Sequence, residues 1–185
     1  MAALILHLIR HPPPLGMAGI CYGATDVSAE PAAPFAAALR AELPPGLPLW
    51  SSPLQRCRDL AMALHPTPIF DDRLREMNFG AWEGRPWAEI PRAEVDAWAA
   101  DVAGYAPPGG ESAQQLQQRA LAFIAALTVA EAALVTHAGV IRCLSAHANG
   151  RTLVDCLDVR PAFGSRTTLA WEGPWRRAHG LDTAY

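Results

Sequence analysis

Lysine is missing from this sequence altogether, and its fifteen cationic side chains are all arginines. The absence excludes a P-loop nucleotide site, lysine Schiff-base chemistry and the Ser-Lys hydrolases, each of which needs an ammonium at a defined position. What remains is a set of planar, permanently charged forks suited to carboxylates and phosphates. Cysteine is sparse: Cys21, Cys57, Cys143 and Cys156 are widely spaced and form no C-x-x-C pair, so neither a disulfide framework nor a zinc knuckle is indicated. They read as reduced, mostly core thiols, and no metal or cofactor is expected. Charged residues make up only 18% of the chain, the net charge is -3 and no basic block occurs, so the electrostatic footprint of a nucleic-acid binder is absent. The apolar opening Met1 to Ile9 is too short for a signal sequence and has no basic leader, and no run of about eighteen apolar residues follows. The expectation is a soluble, cytoplasmic protein without a membrane partner.

What is present is apolar substance. Hydrophobic residues account for 51% of the 185 positions, enough for one full-sized domain, residues 1–185, around a substantial core.

Ala3 to Ile9 is a near-continuous apolar run, the pattern of a strand buried on both faces, and it stops at Arg10-His11. Pro12 to Ser28 carries three prolines and three glycines and reads as a loop. A helix is predicted from Ser28 or Ala29 to Glu42, with Phe35, Leu39 and Leu43 on one stripe and Pro44-Pro45-Gly46 as its stop. Leu47 to Ser51 is a second strand. Ser52 is the expected N-cap, and Pro53 the first position, of a helix with the stripe Leu54, Cys57, Ala61 and Leu64. Thr67 to Phe70 reads as a strand, Arg73 to Trp87 as loop with short turns, and Pro91 to Val102 as a helix. A long helix is predicted from Glu111 or Ser112 to about Thr128, then a buried strand Ala132 to Thr136 ending at His137-Ala138-Gly139, then a further helix. Thr167 to Trp171 and Trp175 to Ala178 are candidate terminal strands, and the tryptophans at 82, 87, 98, 171 and 175 are expected mostly in the core. Strands alternating with helices imply an α/β class, a layered α/β/α sandwich on a mostly parallel sheet.

Ligands of such sheets bind beyond the carboxyl ends of the strands. Three polar clusters sit at predicted strand ends: Arg10-His11, Ser51-Ser52 with Arg56, and His137-Ala138-Gly139. Two arginines and two histidines at one crevice suit a dianion, because guanidinium binds phosphate oxygens bidentately and imidazole can act as nucleophile or donor. His7 shares the first strand with His11, but four extended residues separate them by roughly 13 Å, too far to share a metal, so His7 is read as structural. His65, His147 and His179 lack supporting neighbours and are read as surface or cap residues.

Five blocks in order, Leu8-Ile9-Arg10-His11, Ser51-Ser52-Pro53-Leu54-Gln55-Arg56-Cys57, Leu74 to Gly84, Pro108-Gly109-Gly110-Glu111-Ser112 and Val135 to Arg142, resemble the histidine phosphatase superfamily, the phosphoglycerate mutase-like proteins. The resemblance implies a three-layer α/β/α fold and a small-molecule phosphate monoester as substrate. It further implies that His11 takes the phosphoryl group, Arg10 and Arg56 bind its oxygens, His137 donates to it as a protonated imidazole, and Glu76 protonates the leaving oxygen. For that last role Glu76 should sit beside apolar neighbours or another carboxylate, and Glu83 and Glu111 are expected to fix loop and helix ends instead. One departure stands out. The family's glycine, threonine and asparagine after the histidine are replaced here by Pro12, Pro14 and Met17, so the asparagine's phosphate contact has no counterpart. Tyr22 and Thr25, in a loop resembling the family's substrate side, are candidate substrate contacts. The blocks are most similar to α-ribazole phosphatases, with broad-specificity or sugar-phosphate phosphatases as the alternative, and an inert phospho-ligand binding protein as the alternative from another class. A homodimer is compatible with the sequence.

Overall fold

The computed structural model describes residues 3–171. The chain forms β1 (Leu4–Arg10), α1 (Ala32–Glu42), β2 (Leu49–Ser51), α2 (Gln55–Leu64), β3 (Ile69–Phe70), α3 (Arg92–Ala100), α4 (Ala113–Ala125), β4 (Glu131–Thr136), α5 (Ala138–Ala148) and β5 (Arg166–Trp171), with single 3-10 turns between them. The sheet order is β3-β2-β4-β1-β5. The first four strands are parallel, while β5 runs antiparallel to β1.

The apolar runs explain the layers. Leu4, Leu6 and Leu8 of β1 point to one face, against Leu116, Ala120, Phe123 and Ile124 of α4 and Val140, Ile141 and Leu144 of α5. Ile9, Leu49, Ala133 and Val135 point to the other face, against α1 and α2. Burying each such leucine or isoleucine contributes about 2 kcal/mol of transfer free energy. The architecture is therefore the expected three-layer α/β/α sandwich. The helix after β1 lies on one face and the helix after β4 on the other, so a crevice opens between these neighbouring strands at their carboxyl ends.

Local boundaries differ from the sequence expectation for identifiable reasons. The first helix starts at Ala32 and not at Ser28 or Ala29, because Leu15 donates to the Ser28 carbonyl and Glu30 to that of Pro13, which engages residues 28–30 with the preceding loop. The second helix starts at Gln55. Ser52 is not its N-cap and Pro53 lies outside it; instead Asp26, from the distant loop, accepts the Gln55 N–H at 2.7 Å. Helix α4 ends at Ala125, short of Thr128, and starts with a capping box formed by Ser112 and Gln115. Trp82 and Trp171 are core, as expected, whereas Trp87 and Trp98 are only partly covered. The strand predicted at Trp175 to Ala178 lies outside the described residues. Among the described residues no helix is long and apolar enough to cross a membrane.

Candidate active site

Register alone brings the two histidines together. Arg10 of β1 pairs with Thr136 of β4, so the next residue of each strand, His11 and His137, leaves the sheet side by side, with ring centroids 5.1 Å apart. Ser51 of β2 pairs with Val135 on the other flank of β4, which adds Ser52 and the first turn of α2 to the same edge.

His11 is buried. Its Nδ1 lies 2.7 Å from the Pro12 carbonyl, an acceptor only, so Nδ1 carries the proton and Nε2 is left with its lone pair. Burial, reinforced by the charges of Arg56 and Arg10 against the opposing Pro12 hydrogen bond, lowers the imidazole to about 3, so the free site holds it neutral. Pro12 thus supplies the acceptor that fixes the tautomer. His137 caps α5 from a fully buried position, with Nε2 2.9 Å from Ser52 Oγ. Burial first, then Arg56 and His11, holds it well below the ordinary imidazole value. The protonated state that the resemblance implies is therefore opposed by these surroundings, and a bound dianion would have to favour it.

Two arginines flank the imidazoles. Arg56, only 1% exposed, donates from its terminal nitrogens to the carbonyls of Thr25 (2.9 Å) and Gly23 (2.5 Å). Arg10 donates to the Pro161 carbonyl at 2.6 Å and lies over the Phe163 ring, with Cζ 3.6 Å from its centroid. Among the described residues, the only buried side-chain nitrogens or oxygens without a hydrogen-bond partner are the Nε atoms of these two arginines. Both guanidinium groups belong to side chains that line one cavity, and their paired positive charge there suits an anion.

Arg10, His11, Arg56, Glu76 and Tyr22 line one cavity of about 460 Å³, together with Arg142, whose Nε donates to the Val159 carbonyl. Glu76 accepts the Gly139 N–H, in the first turn of α5, and the Met77 N–H, both at 3.0 Å, and Met77 and Leu116 line the wall beside it. Its neighbours are thus partly apolar, as expected, but both oxygens also meet backbone donors. Thr25 does not line this cavity. Its hydroxyl donates to Glu83, and its carbonyl holds Arg56, so it shapes the site from behind instead of facing a substrate. Glu83 and Glu111 behave as loop and helix anchors: Glu83 accepts four backbone N–H groups, and Glu111 accepts from Asn78 and Arg119. His7 is held by Glu131 at 2.8 Å, away from the cavity. The aromatic wall of Trp87 and Trp98 is not legible in the sequence, since these residues reach the cavity only through tertiary placement, and Phe163 comes against His11 in the same way.

The geometry has counterparts among known proteins. The phosphoglycerate mutase of Thermus thermophilus superposes with a TM-score of 0.74 at 33% identity, over 91% of this chain and 94% of that one. The native mycobacterial glucosyl-3-phosphoglycerate phosphatase superposes with a TM-score of 0.76 at 26% identity, over 90% and 89%. By sequence, the glucosyl-3-phosphoglycerate phosphatase of Mycolicibacterium vanbaalenii is 32% identical over 139 residues, covering 65% of this chain and 60% of that protein. The chain therefore spans less than two thirds of that curated relative's length. The model of the histidine phosphatase superfamily (branch 1) matches residues 6–181, and the chain belongs to that family.

Proposed function

We propose that the protein is a metal-independent phosphomonoesterase working through a phosphohistidine. The observation that carries this reading is the buried, neutral His11, its Nδ1–H committed to Pro12, beside two guanidinium groups with free Nε donors. In the first step the His11 Nε2 lone pair forms the N–P bond, the ester P–O bond breaks, and Glu76 gives its proton to the departing oxygen. In the second step water attacks phosphorus, its proton passes to the Glu76 carboxylate, and the N–P bond breaks to release phosphate. Arg10, Arg56 and a His137 protonated in the presence of the dianion stabilise the charge spread over the phosphoryl oxygens. An inert binding protein would have no use for an acid at the position of Glu76.

The substrate we favour is α-ribazole 5′-phosphate. The outer wall, with Ile20, Phe79, Trp87, Trp98, Leu153 and Leu157, offers apolar and aromatic surface to a flat heterocycle and few partners to a polyhydroxylated one. A sugar-phosphate acid is the second reading, favoured by the Arg142 side chain at the cavity, which suits a carboxylate on the leaving group. The family match over residues 6–181 supports treating the chain as one domain, and the net charge of -3 argues against a nucleic-acid partner.

Rapid quench with a radiolabelled phosphate ester is expected to trap acid-labile label on the protein. His11→Ala should abolish both label and turnover, and turnover should persist in EDTA. Strict dependence on added metal overturns the mechanism. A kcat/KM for α-ribazole 5′-phosphate no higher than for glucosyl-3-phosphoglycerate overturns the substrate assignment.

A further inference from the structure

The geometry points to Phe163 as the residue that aims Arg10 and His11 at the phosphoryl group, a positioning role resting on the phosphatase reading above. Strand β5 pairs antiparallel with β1 up to Ile9↔Arg166, so the residues just before β5 run back past the end of β1. Arg10 N–H donates to the Ser165 carbonyl, and Gly164 N–H reaches the carbonyls of both Arg10 and His11. Gly164 holds a φ of +66°, and a Cβ there would lie 2.1 Å from the Phe35 ring, so the position demands glycine. That turn brings the Phe163 ring against both functional side chains at once. Arg10 Cζ stands 3.6 Å from its centroid, and the His11 ring lies 5.5 Å away, tilted by 50°.

The stack covers one face of the Arg10 guanidinium, and the Pro161 carbonyl holds one terminal nitrogen, so rotation of the fork is blocked while its Nε stays unpaired. A ring over a guanidinium attracts it electrostatically and strips water from that face. The segment 161–164 thereby restrains Arg10 from late in the sequence, whereas Pro12 holds only His11.

The test compares Phe163→Leu with Phe163→Tyr in the full chain. Leucine keeps apolar bulk and removes the π face, whereas tyrosine keeps the ring. Leucine should weaken inorganic phosphate binding, measured by calorimetry, and lower kcat/KM for p-nitrophenyl phosphate, each by about tenfold. KM should rise more than kcat falls, and tyrosine should restore both. In an Arg10→Lys background the leucine change should have little further effect, because the planar fork it aligns is already gone. Wild-type phosphate affinity in Phe163→Leu overturns the role, as does a tyrosine variant no better than leucine. If the wild type binds phosphate but hydrolyses no ester, the phosphatase reading fails while the calorimetry still decides for or against Phe163. Should the leucine variant not fold, Phe163→Trp and Phe163→Tyr carry the comparison: wild-type binding in both supports the role, and tenfold loss in both overturns it.

Discussion

Replacing Glu83 by glutamine changes no volume and removes one charge, yet it should be among the most damaging surface-loop substitutions in this protein. The carboxylate accepts from the N–H groups of Gly23 (3.0 Å), Ala24 (3.0 Å), Thr25 (3.1 Å) and Phe79 (2.9 Å), and from the Thr25 hydroxyl. Oε1 takes two of these bonds and Oε2 three, so whichever way the amide is turned, its NH₂ faces at least two donors. Each partly buried donor left without an acceptor costs about 1–3 kcal/mol, and partial relaxation brings the total to about 3 kcal/mol. In a chain of this size that is a fall in Tm of roughly 6–12 °C. Gly23 and Thr25 also supply the carbonyls that hold Arg56, so loosening them should raise KM for phosphate esters. Burial pushes the Glu83 carboxyl up, but the Thr25 hydroxyl and the N–H groups of Phe79, Gly23 and Ala24 outweigh it and hold the group below its ordinary value. A carboxyl lowered in the folded state stabilises above its unfolded value and stops doing so as pH falls through its folded one. The Tm gap between wild type and Glu83→Gln, read by differential scanning calorimetry, should therefore be full at pH 7 and shrink below about pH 4. A gap under about 2 °C at pH 7, or one that does not shrink in acid, would refute the reasoning.

Two further outcomes separate stability from chemistry. In Gly139→Ala the new Cβ would meet Glu76 Oε1 and Leu116 Cδ2, so the carboxylate must leave the Gly139 and Met77 N–H groups and Tm should fall by a few degrees. Its kcat should fall about tenfold for alkyl phosphates and little for p-nitrophenyl phosphate, whose leaving group needs no proton; equal losses on both would count against Glu76 as the acid. Histidine NMR of the free protein should show neither His11 nor His137 protonating between pH 5 and 8, since burial lowers both. The unfolded chain then binds more protons than the folded one as pH drops below about 6.5, so these two residues make stability decline in that direction. A step near 6.5 from His11 would remove the neutral-nucleophile argument.

Much of the fold could be read from local signals. The apolar run of β1 and the Pro44-Pro45-Gly46 stop act within a few residues, and each sits where the sequence puts it. The sequence was less informative where a distant partner competes with a local rule. Ser52 and Pro53 have the right chemistry to open α2, but the Ser52 hydroxyl turns to His137, and Asp26, 29 residues away, accepts the helix's first N–H. Residues 28–30 have helix-compatible chemistry and are drawn off by hydrogen bonds to residues 13–15.

The same distinction divides the site. Arg10, His11 and His137 lie at or one residue beyond the ends of paired strands, so topology and register bring them together once the strands are identified. Arg56 lies in the first turn of α2, anchored by the loop carbonyls. The end of the cavity lined by Arg10, His11 and Arg56 is for this reason legible. Its other surfaces are assembled differently: Arg10 is steered by a carbonyl 151 positions away, Thr25 is tied to a glutamate 58 positions on, and Trp87 stacks on Trp98 from a separate helix. No periodicity or short motif encodes such pairings. The placement of the two histidines and Arg10 thus follows from strand ends, whereas the outer wall of the cavity and the partners that hold Arg10 come from loops packed against them. The Thr25 result illustrates the difference. The loop's resemblance to the family's substrate side points to a substrate contact, and only the position of Glu83 shows that the Thr25 hydroxyl is already engaged.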